Sequence, residues 1–233
     1  HTRYPLVTGV QTCAFRSLLR TGAANVGGIQ RAVGSTPFEE AVALAMSSPF
    51  GMGGAKFHTG GEEGPVDTVY LGVFDRAAIE AVGLFDESLT RNQDYELNVR
   101  LRNAGHTVWF DPELAVQYRP RPSLALLARQ FFEYGAWKRH VLRMHPTSVR
   151  PRQLVPPVFL TATVAAMIGS IWNTWFLMFP GIYVLAILTA STAASPGGLR
   201  QVTRLCRIFP TMHLAWAAGF ALGSTTEPTR PAA

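Results

Sequence analysis

The sequence predicts an α/β unit followed by two to three transmembrane helices, and three observations carry that prediction. Over residues 18–150, segments of strand composition alternate with segments of helical periodicity, the pattern of an α/β fold. Residues 153–199 then contain no Asp, Glu, Lys or Arg. A helix crossing the hydrocarbon core needs about 20 apolar residues, so this run has room for two. Finally, 48% of the 233 residues are hydrophobic and only 15% charged, against about 25% charged in soluble domains. That composition excludes a disordered or low-complexity chain and argues against a wholly soluble one.

The elements follow in order. Residues 1–17, "HTRYPLVTGVQTCAFRS", resemble the conceptual translation of a sequencing adapter, with "VTGVQTCA" the telling part, and are set outside the fold. The alternative is a native, strand-like N-terminus. On the adapter reading the gene is cut at its 5′ end, and whatever preceded Leu18 is missing. Thr36-Pro37-Phe38-Glu39 is a capping box with Pro at the first helical position, which starts a helix over 36–47. Residues 48–65 are rich in Gly, carry two Pro, and read as a long, functional loop. Residues 66–74 are rich in β-formers and read as a buried strand. A short helix over 76–82 is closed by Gly83, and a helix over 94–104 by Gly105. Short strands at 107–110 and 114–118 are broken by Asp111-Pro112. A long helix covers 123–144.

The membrane unit, 151–226, holds apolar stretches at 154–172 and 176–194, the second with Pro180-Gly181 to kink it or shift its start. A shorter stretch at 208–222 is either a tilted span or an interfacial segment. A tail, 227–233, follows. Trp172 and Trp175 are placed for a membrane interface. Eight Lys and Arg lie between Arg119 and Arg152, and Arg200, Arg204 and Arg207 precede the third stretch. By the positive-inside rule the 18–150 unit and the 195–207 loop face the cytoplasm. The net charge of +6 then has a juxtamembrane cause. No helix-turn-helix, finger or base-stacking motif points to nucleic acid. Cys13 and Cys206 lack the spacing of a disulfide framework or a zinc site.

Three patterns could carry chemistry. In "LTRNQDYELNVRLRNAG", residues 89–105, Asp94 opens a helix and Glu96 follows two positions later. Residues two apart do not share a helical face, so the two acids do not form a shared-proton pair. One can face a cleft while the other caps the helix or pairs with Arg100. Asp94 is either a general base for a hydroxyl or a helix cap. In "VDTVYLGVFDR", residues 66–76, Asp67 opens the strand, Tyr70 lies within it, and Gly72 marks a close approach. What approaches is a sugar or a neighbouring chain. In "ARQFFEYGAWKRHV", residues 128–141, Gln130, Tyr134, Trp137 and Lys138 fall on one helical stripe. The stripe suits a diphosphate and a sugar, or equally an amphipathic interfacial helix with snorkelling charges.

The order of these patterns is more telling than any one. "GGIQRAVG", "SSPFGMGGAKF", "GPVDTVYLGVF", "VGLFDESLTRNQDYELNVRLRNAG", "VWFDPELAVQYRPR", "LARQFFEYGAWKRHVLRMHP" and "MHLAWAAGF" together resemble the membrane-attached, exopolysaccharide- and succinoglycan-building subgroup of the family 2 glycosyltransferases. The resemblance covers about residues 25–223. It implies the C-terminal half of a glycosyltransferase-A domain, followed by membrane helices. It implies an inverting transfer from a nucleotide-sugar donor to a hydroxyl of a lipid-linked glycan acceptor, at the bacterial cytoplasmic membrane with the catalytic part facing the cytoplasm. Asp94 matches the family's base and Glu96 the second acid of its motif. Asn92 and Gln93 flank them as substrate-binding residues, with Asp67, Tyr70, Gly72, Gln130, Tyr134, Trp137 and Lys138. The 123–144 helix would hold the active cleft near the bilayer surface.

The family implies a divalent cation, Mg or Mn, on an acidic pair. No Asp-x-Asp occurs here, so no metal ligand is named; the ligands are expected upstream, and the fragment is expected to be inactive alone and to expose an unpaired sheet edge. The Gln-x-x-Arg-Trp motif of processive synthases is also absent, since Gln130 is followed by Ala136-Trp137. That favours one sugar per encounter. The rival readings are a non-catalytic membrane-anchored scaffold of the same fold, a basic nucleic-acid-binding membrane protein, and a small transporter. The last would need more spans and more intramembrane ionisable groups than His213 alone.

Overall fold

The computed structural model describes residues 5–224, with side chains from residue 12 onward. Residues 1–4 of the adapter-like segment, residues 225–226 and the 227–233 tail lie outside the described residues. The chain divides into two compact units, residues 1–121 and 122–233.

In the first unit, α1 (Pro5–Thr21) precedes β1 (Asn25–Ala32) and α2 (Pro37–Ser47). The adapter-like segment is thus helical from Pro5. Ala14 packs with Ala23, Val26 and Leu114, and Ser17 Oγ donates to Asp111 Oδ2 at 2.6 Å. Helix α2 starts where the capping box predicts: Thr36 Oγ1 accepts from the Glu39 N–H at 3.2 Å. Glu39 itself is fully buried. It accepts from Ser35 N and Oγ at 2.8 and 2.6 Å and from Arg119 Nε at 3.0 Å. These donors hold its carboxyl down at about 2.

The expected loop at 48–65 contains two single-turn helices, α3 (Pro49–Met52) and α4 (Lys56–Thr59), then β2 (Gly64–Pro65). Next come β3 (Tyr70–Phe74), α5 (Arg76–Ala81), α6 (Gln93–Asn103) and β4 (Val108–Tyr118). The four strands form one mixed sheet in the order β2-β4-β1-β3. Strand β1 runs parallel to β4 and antiparallel to β3.

Two expectations are corrected here. The single strand expected over 66–74 is split. Val66 N still bonds Val108 O on the β2 side, whereas Tyr70 pairs with Gly28 on the opposite edge. Three strand spacings of about 4.8 Å put those edges about 14 Å apart, and five extended residues reach about 17 Å. Residues 66–69 therefore cross the sheet instead of joining it. The crossing lies against β1 at Gly27, where a Cβ would fall 2.7 Å from Val69 Cγ2 and 2.8 Å from Tyr70 O. The two short strands expected around Asp111-Pro112 are one strand with a bulge. Gly27 faces Phe110 while Ile29, two residues on, faces Ala115. The Asp111 side chain closes the bulge by accepting from Glu113 N at 2.9 Å.

In the second unit, α7 (Leu124–Met144) is capped by Ser123, whose Oγ accepts from Leu126 N at 3.3 Å. After a 3-10 turn at Pro146–Ser148 come α8 (Pro151–Gly169), a second turn at Thr174–Leu177, α9 (Met178–Ala193) and α10 (Leu199–Leu222). Three helical stretches, Pro151–Gly169, Thr174–Ala193 and Leu199–Leu222, are long and apolar enough to cross a membrane. The third runs nine residues further upstream than the apolar stretch at 208–222, because Arg200, Arg204 and Arg207 lie within its first turns. Helices α7 and α10 meet through small residues. A Cβ on Gly135 would lie 2.0 Å from Trp216 O, one on Gly219 1.9 Å from Phe132 O, and one on Gly223 2.4 Å from Ala136 Cβ. Arg139 donates to Ala221 O at 2.6 Å and to Gly223 O, closing the C-terminus of α10.

Candidate functional site

The chemistry-bearing residues of the first unit gather at the N-terminus of α6. Asn92 occupies the N-cap position with φ 60°, in the left-handed region that Asn tolerates. Gln93 Nε2 donates back to Leu89 O. Asp94 lies in the first turn, two positions after the N-cap Asn92, where the helix dipole acts on it. It is exposed, and no hydrogen bond or ion pair to it occurs among the described residues. The helix dipole favours its charged form by about 0.3–1 kcal/mol. Desolvation by the surrounding protein nevertheless raises its pKa above the ordinary carboxylate value, so desolvation outweighs the dipole.

Glu96 meets the opposite environment. It is 1% exposed, and Arg100 grips both of its oxygens, Nε at 2.8 and 3.0 Å and Nη2 at 2.7 Å. The same guanidinium reaches Val82 O and, at 2.6 Å, Leu84 O. Glu96 and Arg100 thereby fasten α6 to the turn after α5.

A second fastening reaches the sheet. Asn25 Nδ2 donates to Asn98 Oδ1 at 2.7 Å, and Asn98 Nδ2 to Thr68 Oγ1 at 3.0 Å. Asn98 lies one turn beyond Asp94, so this chain fixes the helix carrying Asp94 against β1 and the sheet crossing. Asp67 lies half-buried in that crossing. Gly72 answers the question its sequence posed: the neighbour approaching it is Asn25, whose Oδ1 would stand 1.9 Å from a Cβ there.

Tyr70 lies half-buried at the start of β3. Its phenol is pushed up from the ordinary value, first by desolvation, with the Tyr118 hydroxyl and the Asp94 carboxylate adding to the effect. The polar side chain of Gln30 opposes the shift. Gln30 is buried in β1, within a block, "GGIQRAVG", whose two Gly, Gln and Arg do not read as a strand.

In the second unit the α7 stripe is only partly joined. Gln130 Nε2 donates to Tyr134 Oη at 2.7 Å. Gln130 and Trp137 are buried, while Tyr134 and Lys138 are half-buried. Trp137 packs edge-on to His140 with centroids 5.7 Å apart.

Among the described residues no group of three or more His, Cys, Asp or Glu could hold a metal ion.

Two curated proteins are similar to this chain. The succinoglycan biosynthesis protein ExoA of Rhizobium meliloti is 31% identical over 204 residues, which cover 87% of this chain and 61% of that protein. The dolichyl N-acetyl-alpha-D-glucosaminyl phosphate 3-beta-D-2,3-diacetamido-2,3-dideoxy-beta-D-glucuronosyltransferase of Methanococcus voltae is 31% identical over 166 residues, which cover 71% of this chain and 49% of that protein. The chain is thus distantly homologous to both and spans about half to three-fifths of their lengths. No family model matches it, and no solved structure matches it.

Proposed function

We propose that this chain belongs to an inverting glycosyltransferase that moves a sugar from a nucleotide-sugar to a hydroxyl of a lipid-linked glycan, in exopolysaccharide or other surface-glycan synthesis. The observation that carries the reading is the Asp94 carboxylate: accessible, unpaired among the described residues, raised in proton affinity, and seated on a helix fastened at two points. A general base needs that combination, because a carboxylate already held by a cation is a poor proton acceptor. The names of the two relatives, one a glucuronosyltransferase acting on a dolichyl-linked sugar and one a polysaccharide biosynthesis protein, support the same class.

In the reaction the acceptor O–H loses its proton to Asp94. Its oxygen forms a bond to the anomeric carbon, and the bond from that carbon to the diphosphate oxygen breaks. The nucleoside diphosphate departs with the electron pair, and the anomeric configuration inverts. Glu96 acts as a positioning residue through Arg100. The cation implied by the family resemblance would be held by groups outside the described residues. The apolar helices would anchor the protein in the bacterial cytoplasmic membrane, with the Asp94 unit on the cytoplasmic side as the Arg-rich flanks require.

The test is transfer of radiolabel from a panel of nucleotide-sugars into the lipid fraction of membranes carrying the full-length parent of this chain. Loss of transfer on Asp94→Asn supports the proposal; unchanged transfer identifies a scaffold.

A further inference from the structure

We propose that only α8 and α9 cross the membrane, and that α10 enters just the leaflet that α7 faces, with both of its ends returning to that side. The inference concerns the second unit alone and does not depend on the glycosyl transfer proposed above.

The contacts of α7 carry it. Helix α7 holds Arg129, Glu133, Lys138, Arg139 and Arg143. A basic or acidic side chain costs about 2.5–3.5 kcal/mol at the centre of a membrane helix, so α7 stays out of the hydrocarbon. The 145–150 linker joins α7 to α8. Fully extended it would reach about 25 Å, short of the ~30 Å of the hydrocarbon core. A 3-10 turn at Pro146–Ser148 shortens it further. The end of α7 and the start of α8 therefore share one face of the membrane. The far end of α10 lies on that same face, because it meets α7 backbone to backbone. A Cβ on Gly135 would stand 2.0 Å from Trp216 O, and one on Gly219 1.9 Å from Phe132 O. The Arg139 guanidinium binds the carbonyls at the end of α10, Ala221 O at 2.6 Å and Gly223 O.

The number of crossings from the start of α8 to the end of α10 must then be even. Three would leave the end of α10 about 30 Å from the helix it touches. Of the three apolar helices, α10 is the one that fails to span. With Leu199 at the water boundary, an upright α10 would carry Arg207 about 12 Å into the hydrocarbon. With Arg207 at the boundary instead, residues 208–222 would cover only about 22 Å. The side chains agree: Val158, Ile168, Ile182 and Leu185 of α8 and α9 are exposed, as on lipid-facing spans, whereas Ile208 and Met212 of α10 are buried. Arg200, Arg204 and Arg207 fall at i, i+4 and i+7 on one stripe, and no ion pair to them occurs among the described residues. At the leaflet surface that stripe meets lipid headgroups. Between its ends α10 leans on α9, where Tyr183 Oη and His213 Nδ1 lie 3.0 Å apart, so the polar groups carried deepest are paired.

The experiment is cysteine labelling of the full-length parent of this chain, freed of its other cysteines, in sealed bacterial membrane vesicles of each orientation. Single cysteines are introduced by Thr147→Cys in the α7–α8 linker, Thr174→Cys in the α8–α9 turn and Ser224→Cys just past α10. The probe is a membrane-impermeant maleimide, and labelling after detergent shows that each thiol reacts. We expect Ser224→Cys to label in the orientation that labels Thr147→Cys, and to lose labelling in the orientation that labels Thr174→Cys. Labelling of Ser224→Cys together with Thr174→Cys, the pattern of three crossings, overturns the inference. Labelling of all three from one face, the pattern of no crossing, overturns it as well. If Ser224→Cys does not accumulate or react, an epitope inserted after Ser224 in the otherwise native protein decides the matter. Protease should destroy it from the face that labels Thr147→Cys, and destruction only from the opposite face overturns the inference.

Discussion

Asp94 and Glu96 stand two residues apart in the first turn of α6 and end in opposite electrostatic settings. Glu96 is buried in the fork of Arg100 at 2.7–3.0 Å. Asp94 is exposed, and desolvation lifts its proton affinity. A helical turn of 3.6 residues sends neighbours two apart to different faces, so one face serves architecture and the other is left for chemistry. Substituting the two acids should therefore separate stability from activity.

Glu96→Gln should destabilise the protein by about 3 kcal/mol, because it leaves the Arg100 guanidinium without its counter-charge. Thermal unfolding of the detergent-solubilised chain measures this. Asp94→Asn should change stability by less than about 0.5 kcal/mol, as a surface substitution with no partner to lose. Equal destabilisation by both would contradict the division of labour.

Gly72→Ala should cost about 1–3 kcal/mol. The new methyl meets Asn25 Oδ1 at 1.9 Å and must push Asn25 off Asn98. Adding Asn25→Ala removes the obstruction, so the double variant should lose less than the sum of the two single losses. Strict additivity would show that the two side chains do not compete for that space.

His58 gives the first unit an acid sensitivity. It is 8% exposed, and desolvation lowers its pKa from 6.5 to about 4. The unfolded chain therefore binds a proton that the folded chain refuses. Above about pH 6.5 both states are neutral and nothing is lost; between about 6.5 and 4 stability falls, by about 3 kcal/mol in all; below about 4 the loss is complete. His58→Phe should flatten the unfolding midpoint across that window. An unchanged slope would place the sensitivity elsewhere. Glu39, held down at about 2, adds a separate loss between its ordinary value near 4.5 and about 2, because only its ionised form keeps the donors from Ser35 and Arg119.

The α7–α10 crossing depends on the absence of side chains at its closest points. Gly135→Leu should separate the helices, since even a Cβ would lie 2.0 Å from Trp216 O. A fall of several degrees in the unfolding midpoint, with increased proteolysis near residues 219–223, is the expected result. A midpoint equal to wild type would exclude this packing.

The parts of the fold with strong local signals were legible in the sequence. Thr36-Pro37 and Glu39 started α2 where expected, the uncharged run held two of the three apolar helices, and the spacing of Glu96 and Arg100 announced their pairing. The central strand β1 was not legible, because Asn25, Gly27, Gly28, Gln30 and Arg31 are poor strand formers that become a strand only between β3 and β4. The split of 66–74 was hidden for the same reason: composition reports a residue's preference for extended backbone, and not which edge of the sheet it will join. Of the candidate site, Asp94 was readable as an acid in the first turn of α6. The burial of Gln30 was not, because it follows from the pairing of β1 with its neighbours and not from the residue's own preference. On α7, the stripe of Gln130, Tyr134, Trp137 and Lys138 was read from periodicity, which cannot tell that Gln130 and Trp137 face inward.

The pH dependence and size of the Asp94 effect test the central claim most directly. The transfer rate into lipid-linked product should be followed from pH 4 to 9 in membranes carrying the full-length parent protein, as wild type or Asp94→Asn. A base must be ionised to work, and a raised pKa moves its ionisation upward. Wild-type rates should therefore rise with pH through an acid limb lying above the range of an ordinary Asp, and Asp94→Asn should lower the plateau by about 10²–10⁴-fold, the usual contribution of a general base. A variant that keeps wild-type transfer and the same acid limb would contradict the account.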